Sequence, residues 1–233
     1  FFRASDGFNG SNSRFDGIRE NHDKLESVRP IVSKRNRTSL TTSYLTFLHN
    51  WHAKKRAGKT RMENLKFSEL ELSEGTLKAI EELGFTEATP IQSQAIPVVM
   101  SGVDVIGQAQ TGTGKTAAFG IPAIEMVDEN DPVTQALILC PTRELALQVK
   151  EQIYKLAKYK KGLLVSAIYG GESYEKQFRD LRKGAHIVVG TPGRVMDHMS
   201  RKTLKLDNLQ MLILDEADEM LNMGFKDDLD EIL

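Results

Sequence analysis

Short apolar runs alternate with amphipathic segments from residue 65 to the end of the chain. Short apolar runs of this kind are typical of buried strands, and they lie at 103–106, 136–140, 163–169, 186–189 and 211–214. The last run has no alternation, as expected for a parallel strand covered on both faces. Apolar residues at helical spacing predict helices near 73–83, 116–127, 143–159, 173–182, 192–200 and 218–233. The alternation predicts an α/β fold of three layers, with a mostly parallel sheet and helices on both faces.

A glycine-rich segment follows the first apolar run and leads directly into a predicted helix. Its residues are Ala109, Gln110, Thr111, Gly112, Thr113, Gly114, Lys115 and Thr116. Such a turn directs backbone N–H groups at a phosphate, and the start of the helix adds its positive end. We expect Lys115 to reach the outer phosphates of a nucleoside triphosphate and Thr116 to ligate Mg²⁺. The strict pattern begins with glycine where this chain has Ala109, and the alternative is a turn that binds no nucleotide.

An acidic pair ends the last apolar run. Asp215 and Glu216 follow residues 211–214 directly, and open parallel sheets bind ligands at the carboxyl ends of their strands. We expect Asp215 to hold Mg²⁺, directly or through water, and Glu216 to orient and deprotonate the attacking water. The alternative is an ordinary acidic first turn of a helix, which the helix dipole favours.

Composition narrows the class of protein. The chain has 233 residues, of which 40% are hydrophobic and 27% charged, as is usual for a globular domain with a full core. No apolar run approaches the ~20 residues that span a bilayer, so we expect no membrane association. The single cysteine, Cys140, forms no internal disulfide and is expected to be a buried small hydrophobe. These features favour a reducing, cytoplasmic setting.

Charge divides the chain into two parts. Residues 1–61 carry 13 basic and 5 acidic side chains, whereas residues 62–233 carry 18 and 27. A basic arm on an acidic domain is one sign of a nucleic-acid-binding tail. The chain does not begin with Met, and Met62 has the context of a natural start. We therefore expect residues 1–61 to be disordered or to lie upstream of the natural protein, and residues 62–233 to form the domain that binds the nucleoside triphosphate.

Several short motifs occur in one order. Phe67 comes first, followed by residues 84–92, the glycine-rich segment, Pro-Thr-Arg-Glu-Leu-Ala at 141–146, Gly-Gly at 170–171, Thr-Pro-Gly-Arg at 191–194 and Asp-Glu-Ala-Asp at 215–218. Over residues 63–233 the chain resembles the first RecA-like domain of the DEAD-box ATP-dependent RNA helicases. The resemblance implies a RecA-like P-loop fold, with ATP and Mg²⁺ as cofactors and RNA as the partner.

The resemblance also gives roles to residues before the glycine-rich segment. It implies that Phe67 stacks on the adenine ring and that Thr89 and Gln92 lie in the nucleotide site. Gln92 would read the adenine edge, because an amide offers one donor and one acceptor. The alternatives are that Phe67 is a core residue and Gln92 a polar residue on a helix surface.

Three motifs are candidate RNA contacts. Their residues are Pro141, Thr142, Arg143, Gly170, Gly171, Thr191, Pro192, Gly193 and Arg194. Two of these motifs begin a helix after a strand, where free N–H groups face an anion. Backbone contacts of this kind carry no base-sequence information, but they can distinguish RNA from DNA through the 2′-OH. The alternative is ordinary capped helices whose arginines pair with local acids.

The resemblance further implies a second RecA-like domain, which carries arginine fingers and to which Asp218 would couple. The chain contains no such domain, and losing such cations typically costs ~10³–10⁵ in rate. We therefore expect a monomeric fragment that binds ATP and Mg²⁺, binds RNA weakly and hydrolyses almost no ATP. Two other classes stay open, namely a triphosphatase acting on DNA and a non-catalytic nucleic-acid-binding module. The target RNA is not indicated.

Overall fold

The computed structural model of the chain describes residues 2–4, 29–31, 65–110 and 112–232. For residues 2–4 and 29–31 it describes the backbone alone. The remainder of the predicted extension over residues 1–61 lies outside the described residues, so its disorder stays a prediction. Thr111, of the glycine-rich segment, also lies outside them.

Strands and helices alternate along the described chain. The strands are β1 (Phe2–Ala4), β2 (Arg29–Ile31), β3 (Asp104–Ile106), β4 (Ala136–Leu139), β5 (Val165–Ile168), β6 (Ile187–Gly190) and β7 (Met211–Leu214). The helices are α1 (Glu74–Glu82), α2 (Pro90–Met100), α3 (Lys115–Met126), α4 (Arg143–Leu156), α5 (Tyr174–Arg182), α6 (Pro192–Ser200), α7 (Ala217–Asn222) and α8 (Lys226–Ile232). A 3₁₀ turn at Phe67–Glu69 precedes them.

The strands form one sheet in the order β2-β3-β1-β7-β4-β6-β5. Strands β7, β4, β6 and β5 are parallel neighbours. Strand β1 is antiparallel to both β3 and β7, and β2 is antiparallel to β3. Strand β3 therefore runs in the same direction as β7, and five strands end at one edge of the sheet. The predicted α/β fold with a mostly parallel sheet is confirmed.

Two hydrophobic cores cover the two faces of the sheet. Ile138 and Cys140 point into the first core, where helices α2, α3 and α4 pack. Leu137 and Leu139 point into the second core with helices α5 to α8. All four side chains are fully buried, which explains why β4 has an unbroken apolar sequence rather than an alternating one.

The helices differ from the sequence pattern in two places, over residues 90–100 and over residues 218–233. The apolar spacing did not predict helix α2, which contains two prolines. Pro90 occupies the first turn, where the missing N–H costs nothing, and Pro97 lies inside the helix. The single helix expected over 218–233 is instead two helices, because Gly224 has a φ of 88° and leaves the right-handed helical conformation.

Within the residues that the structure describes, no helix combines the length and the apolarity that crossing a membrane requires.

Candidate functional site

The five strands that share a direction end at the same edge of the sheet, and a motif predicted from the sequence follows each of them. These segments are 107–114 after β3, 141–143 after β4, 169–171 after β5, 191–194 after β6 and 215–216 after β7. The fold therefore brings together motifs that are separated by up to a hundred residues of sequence. This edge is the candidate functional site.

The glycine-rich segment needs glycine at two positions. Gly112 has a φ of 82° and Gly114 a φ of 88°, a left-handed conformation that side chains rarely adopt. Gly114 is also the N-cap of helix α3, and no side chain of the described residues caps that helix. A Cβ on Gly114 would lie 2.3 Å from Nε2 of Gln92. The loop conformation and the open helix start suit phosphate binding.

Gln92 connects helix α2 to the glycine-rich segment. Its side chain is only 3% exposed, so it is not a surface residue. Its Nε2 donates to the carbonyl of Gly114 at 3.1 Å, and its Oε1 accepts from the N–H of Thr89 at 2.9 Å. The Thr89 hydroxyl is buried nearby, and none of the described residues forms a hydrogen bond with it. The adenine contact of Gln92 stays a prediction, since its amide already supports the loop.

Phe67 lies in the first hydrophobic core. Its side chain is 4% exposed, and its ring is stacked on Phe85, with 6.5 Å between ring centres and 28° between planes. This is the arrangement of a core residue, which the sequence left open as the alternative. Stacking of Phe67 on adenine stays a prediction that requires the ring to be uncovered.

The acidic pair shares its environment with the lysine of the loop. Asp215 is buried, with 8% exposure, and its N–H donates to the carbonyl of Leu139 at 2.9 Å. Burial raises the pKa of Asp215, the Lys115 ammonium opposes that rise, and Glu216 adds to it. A buried carboxylate that is favoured by nearby positive charge fits a Mg²⁺ ligand. Thr116 opens helix α3 immediately after Lys115, so it can supply a hydroxyl from the same helix start.

Glu216 has an unusual backbone. Its φ of 53° and ψ of 49° are left-handed, which costs about 1–2 kcal/mol for a residue with a Cβ. Strained residues of this kind concentrate at functional sites, where the surrounding structure maintains them. Nothing in the sequence indicated this strain. Asp218, two residues later, is exposed in the first turn of helix α7.

Cys140 lies behind the acidic pair. Its side chain is fully buried, and burial, followed by the charges of Asp215 and Glu216, raises the pKa of its thiol. The thiol therefore stays protonated and unreactive at neutral pH. This fits the expectation of a buried small hydrophobe.

The motif after β4 begins helix α4 and contacts the motif after β5. The Thr142 hydroxyl accepts from the N–H of Leu145 at 3.2 Å and caps the helix. The exposed Arg143 guanidinium lies 4.9 Å from the ring centre of Tyr169. A Cβ on Gly171, whose φ is 80°, would lie 3.4 Å from the Arg143 Nη1. Among the described residues no carboxylate pairs with Arg143, contrary to the alternative of a local ion pair.

The motif after β6 begins helix α6. Thr191 is the N-cap and Pro192 occupies the first turn, where its missing N–H costs nothing. Gly193 is exposed. The Arg194 Nη1 donates to the carbonyl of Glu172 and to Oε1 of Gln177, each at 3.4 Å. Arg194 is therefore held by neutral oxygens rather than by a carboxylate.

A buried polar network joins helices α5 and α6, and local sequence patterns give no sign of it. Gln177 is 3% exposed and His198 is fully buried, and Oε1 of Gln177 lies 3.3 Å from Nε2 of His198. Nδ1 of His198 lies 2.8 Å from the Thr203 hydroxyl. The His198 ring stacks on Tyr174 with 4.5 Å between ring centres. We call Gln177, His198, Thr203 and Tyr174 the polar network.

His198 is expected to make folding stability depend on pH. Burial lowers the pKa of His198 to about 4, and the Arg194 charge acts in the same direction, whereas an unfolded chain has a histidine pKa near about 6.5. As pH falls below about 6.5 the unfolded state binds the proton first, so we expect stability to fall by about 2–3 kcal/mol by pH 4. Urea unfolding of wild type and His198→Gln across this range measures the difference. Parallel pH profiles of the two proteins would contradict the assignment, because the contributions of His186 and the carboxyl groups cancel in the comparison.

The motifs described above lie within the part of the chain that matches known proteins. Residues 89–233 match the sequence profile of the DEAD/DEAH box helicase family. The chain belongs to this family. The ATP-dependent RNA helicase CshA of Listeria monocytogenes serovar 1/2a is 58% identical to this DEAD-box chain over 168 residues, which are 72% of the chain and 32% of that relative. The DEAD-box ATP-dependent RNA helicase CshA of Bacillus cereus is 54% identical over 167 residues.

Solved structures agree with the fold of the DEAD-box chain. The crystal structure of a DEAD box protein from Methanococcus jannaschii has a TM-score of 0.66 and 48% identity, over 73% of the chain and 47% of that protein. A hypothetical ATP-dependent RNA helicase from Sulfolobus tokodaii has a TM-score of 0.63 and 40% identity, over 68% and 45%. The chain spans about a third of the length of the curated relatives it matches. The family and the RecA-like fold implied by the sequence motifs are thus confirmed, while the individual residue roles stay predictions.

Proposed function

We propose that the chain supplies the ATP- and RNA-binding domain of a DEAD-box RNA helicase, which couples ATP binding and hydrolysis to local unwinding of RNA duplexes or remodelling of RNA–protein complexes. The observation that carries the proposal is the shared edge of the sheet. There the uncapped start of helix α3, with Gly112 and Gly114 in left-handed conformations, lies at the same edge as Asp215 and Glu216. Such a combination serves nucleoside triphosphate hydrolysis.

Each group at the nucleotide end has a separate task. The backbone of residues 109–114 and the Lys115 ammonium would hold the phosphates. Thr116 and Asp215 would hold Mg²⁺, which would supply positive charge to offset that of the phosphates. Glu216 would orient the attacking water and accept its proton. Gln92 and Thr89 would contact the adenine side while Gln92 keeps the loop in shape.

The other end of the edge suits a sugar–phosphate backbone. Helices α4 and α6 both begin there, at Arg143 and Pro192, and helix starts attract phosphate groups. Arg143 and Arg194 add positive charge without a carboxylate partner among the described residues. Contacts of this kind bind RNA without reading its base sequence.

We propose that hydrolysis and unwinding require more than this chain provides. Transferring a phosphoryl group requires cations around its equatorial oxygens, and arginine fingers typically contribute ~10³–10⁵ in rate. The family resemblance implies that a second RecA-like domain carries them and that Asp218 couples to it. Binding of ATP and RNA to a closed pair of domains would then drive strand separation by shifting the population toward that state. A monomeric state and a cytoplasmic location stay predictions.

Lys115→Ala tests the nucleotide site. We expect the variant to bind ATP in Mg²⁺ buffer roughly ten- to a hundredfold more weakly than wild type, because it loses a charge-assisted hydrogen bond to phosphate. Isothermal titration calorimetry measures the affinity. Lys161→Ala is the matched control, because Lys161 is exposed in the loop before β5 at the opposite edge of the sheet. Equal affinity in wild type and Lys115→Ala would refute the nucleotide site.

Fluorescence anisotropy with labelled single strands tests the RNA part of the proposal. We expect wild type to bind an RNA strand at low salt and to bind DNA of the same sequence more weakly, since contacts to the 2′-OH are lost. Equal binding of both strands would favour a triphosphatase that acts on DNA. A failure to bind either strand would refute the nucleic-acid surface of this chain while leaving the nucleotide site to be judged by calorimetry.

A further inference from the structure

We propose that Gln177 is a positioning residue for RNA binding, which holds Arg194 and the loop after β5 in the geometry that receives the sugar–phosphate backbone. The inference rests on the proposed function. Gln177 lies on helix α5, outside every motif that the sequence singled out. Its role is inferred from the hydrogen bonds that its side chain makes in the folded chain.

Gln177 joins two of the candidate RNA motifs through one side-chain amide. Its Nε2 donates to the carbonyl of Tyr169 at 2.9 Å, and Tyr169 immediately precedes Gly170. Its Oε1 accepts from the Arg194 Nη1 at 3.4 Å. Strands β5 and β6 each end in one of these motifs, so this buried amide connects the two motifs directly beyond the ends of the paired strands. A buried amide with this many partners is well fixed, because each lost hydrogen bond would leave a polar group unsatisfied.

The Tyr169 carbonyl fixes which way the Gln177 amide points, and that orientation decides the role of His198. Since Nε2 of Gln177 serves the Tyr169 carbonyl, Oε1 must face His198 and can only accept. His198 therefore carries its proton on Nε2 and donates to Gln177. The Thr203 hydroxyl lies 2.8 Å from Nδ1 of His198, and it also lies 3.0 Å from the His198 carbonyl, so its single proton is shared between these two acceptors. The Tyr174 hydroxyl lies 2.9 Å from the same Thr203 oxygen. These contacts fix the His198 ring against Oε1 of Gln177.

Arg194 keeps its remaining donors for a ligand. Both protons of its Nη1 are used, one by the carbonyl of Glu172 and one by Gln177. Within the part of the chain that the structure describes, Nη2 and Nε make no hydrogen bond. A guanidinium held by one nitrogen presents its other donors in a fixed fork, which suits phosphate oxygens. The entropy of ordering Arg194 is lost on folding rather than on RNA binding.

A double-mutant cycle on the full chain tests whether Gln177 acts through Arg194. Wild type, Gln177→Met, Arg194→Met and the double variant are compared by anisotropy with labelled single-stranded RNA at low salt. Methionine keeps the volume of each side chain roughly similar and removes its hydrogen bonds. We expect about a three- to tenfold loss of RNA affinity in each single variant and no further loss in the double variant. Gln152→Met is the matched control, since Gln152 is an exposed helical glutamine, and it should bind like wild type.

Each other outcome overturns the inference. Wild-type affinity in Gln177→Met means that Arg194 does not need the amide. Losses that add in the double variant mean that Gln177 acts on the structure in general rather than through Arg194. If circular dichroism shows that Gln177→Met is unfolded, Gln177→Asn replaces it in the cycle, because it keeps the amide but shortens its reach. If wild type itself binds no RNA, the proposed RNA surface is refuted. Measurements on the variants are not required for that conclusion.

Discussion

Replacing Gly114 with alanine is expected to weaken ATP binding by roughly a hundredfold. Alanine at a φ of 88° costs about 1–2 kcal/mol. Its Cβ would also lie 2.3 Å from Nε2 of Gln92, so Gln92 would have to leave the Gly114 carbonyl and the Thr89 N–H, at about 1 kcal/mol for each lost bond. The sum is about 3–4 kcal/mol, and its lower end gives the expected hundredfold loss, because every 1.4 kcal/mol is about tenfold in affinity. Calorimetry with ATP in Mg²⁺ buffer measures the loss.

Two other glycines separate the causes of that loss. Gly112 has a φ of 82° and open space around its Cβ position, so Gly112→Ala carries the conformational cost without the collision and should lose less affinity than Gly114→Ala. Gly102 has a φ of 75°, open space and a position before β3, away from the loop. Gly102→Ala should lower stability by about 1–2 kcal/mol and leave ATP affinity unchanged. Equal losses in Gly112→Ala and Gly114→Ala would show that Gln92 does not support the loop.

The sequence predicted the strands and the loop because their causes are local or periodic. Ile138 and Leu139 are neighbours that enter opposite cores, and only a strand buried on both faces requires both to be apolar. Gly112 and Gly114 stand out because a left-handed backbone excludes most other residues. Asp215 follows an apolar run, which placed it at the end of a strand. In each case the type of residue at one position is enough to predict the local structure.

The unpredicted features depend on contacts between distant segments. Gln92 is polar, yet it is buried because Gly114, 22 residues later, offers a carbonyl to its amide. The left-handed backbone of Glu216 has no signature, since glutamate is not a residue that favours that conformation. Gln177 lies on a helix on which it and Leu181 are the buried residues, and only the folded chain brings Tyr169 and Arg194 to it. The spacing of apolar residues therefore does not predict the contact of Gln92 with Gly114 or the contacts of Gln177 with Tyr169 and Arg194.

Each end of the site contains a buried glutamine whose amide supports a candidate binding segment. Gln92 supports the glycine-rich segment, and Gln177 supports the segments after β5 and β6. An amide suits this work because it donates and accepts at once without carrying charge. A buried carboxylate or ammonium in the same place would alter the electrostatics of a site that must bind phosphate groups.

Replacing Gly190 with alanine is expected to destabilise the domain by about 2–4 kcal/mol. Gly190 is the last residue of β6, and its Cβ position lies 2.7 Å from Cγ2 of Val195, 2.8 Å from Cγ1 of Ile168 and 2.9 Å from the Ile168 carbonyl oxygen. Overpacking a core typically costs 1–3 kcal/mol, occasionally more, as a rough guide. The Ile168 carbonyl cannot move freely, because it accepts from the N–H of Thr191 at 3.1 Å. Urea unfolding monitored by circular dichroism measures the loss.

Gly170→Ala is the control for the general effect of replacing glycine with alanine. Gly170 follows β5 at the same edge of the sheet, and a Cβ there would meet no atom within 4 Å, so Gly170→Ala should stay within about 1 kcal/mol of wild type. The expected loss in Gly190→Ala is therefore steric rather than a general effect of removing glycine. Relief of the collision would separate β5 from β6 and displace Thr191, where helix α6 begins. We expect Gly190→Ala to bind single-stranded RNA more weakly even at temperatures where it stays folded, and wild-type stability in this variant would show that the two strands can separate without cost.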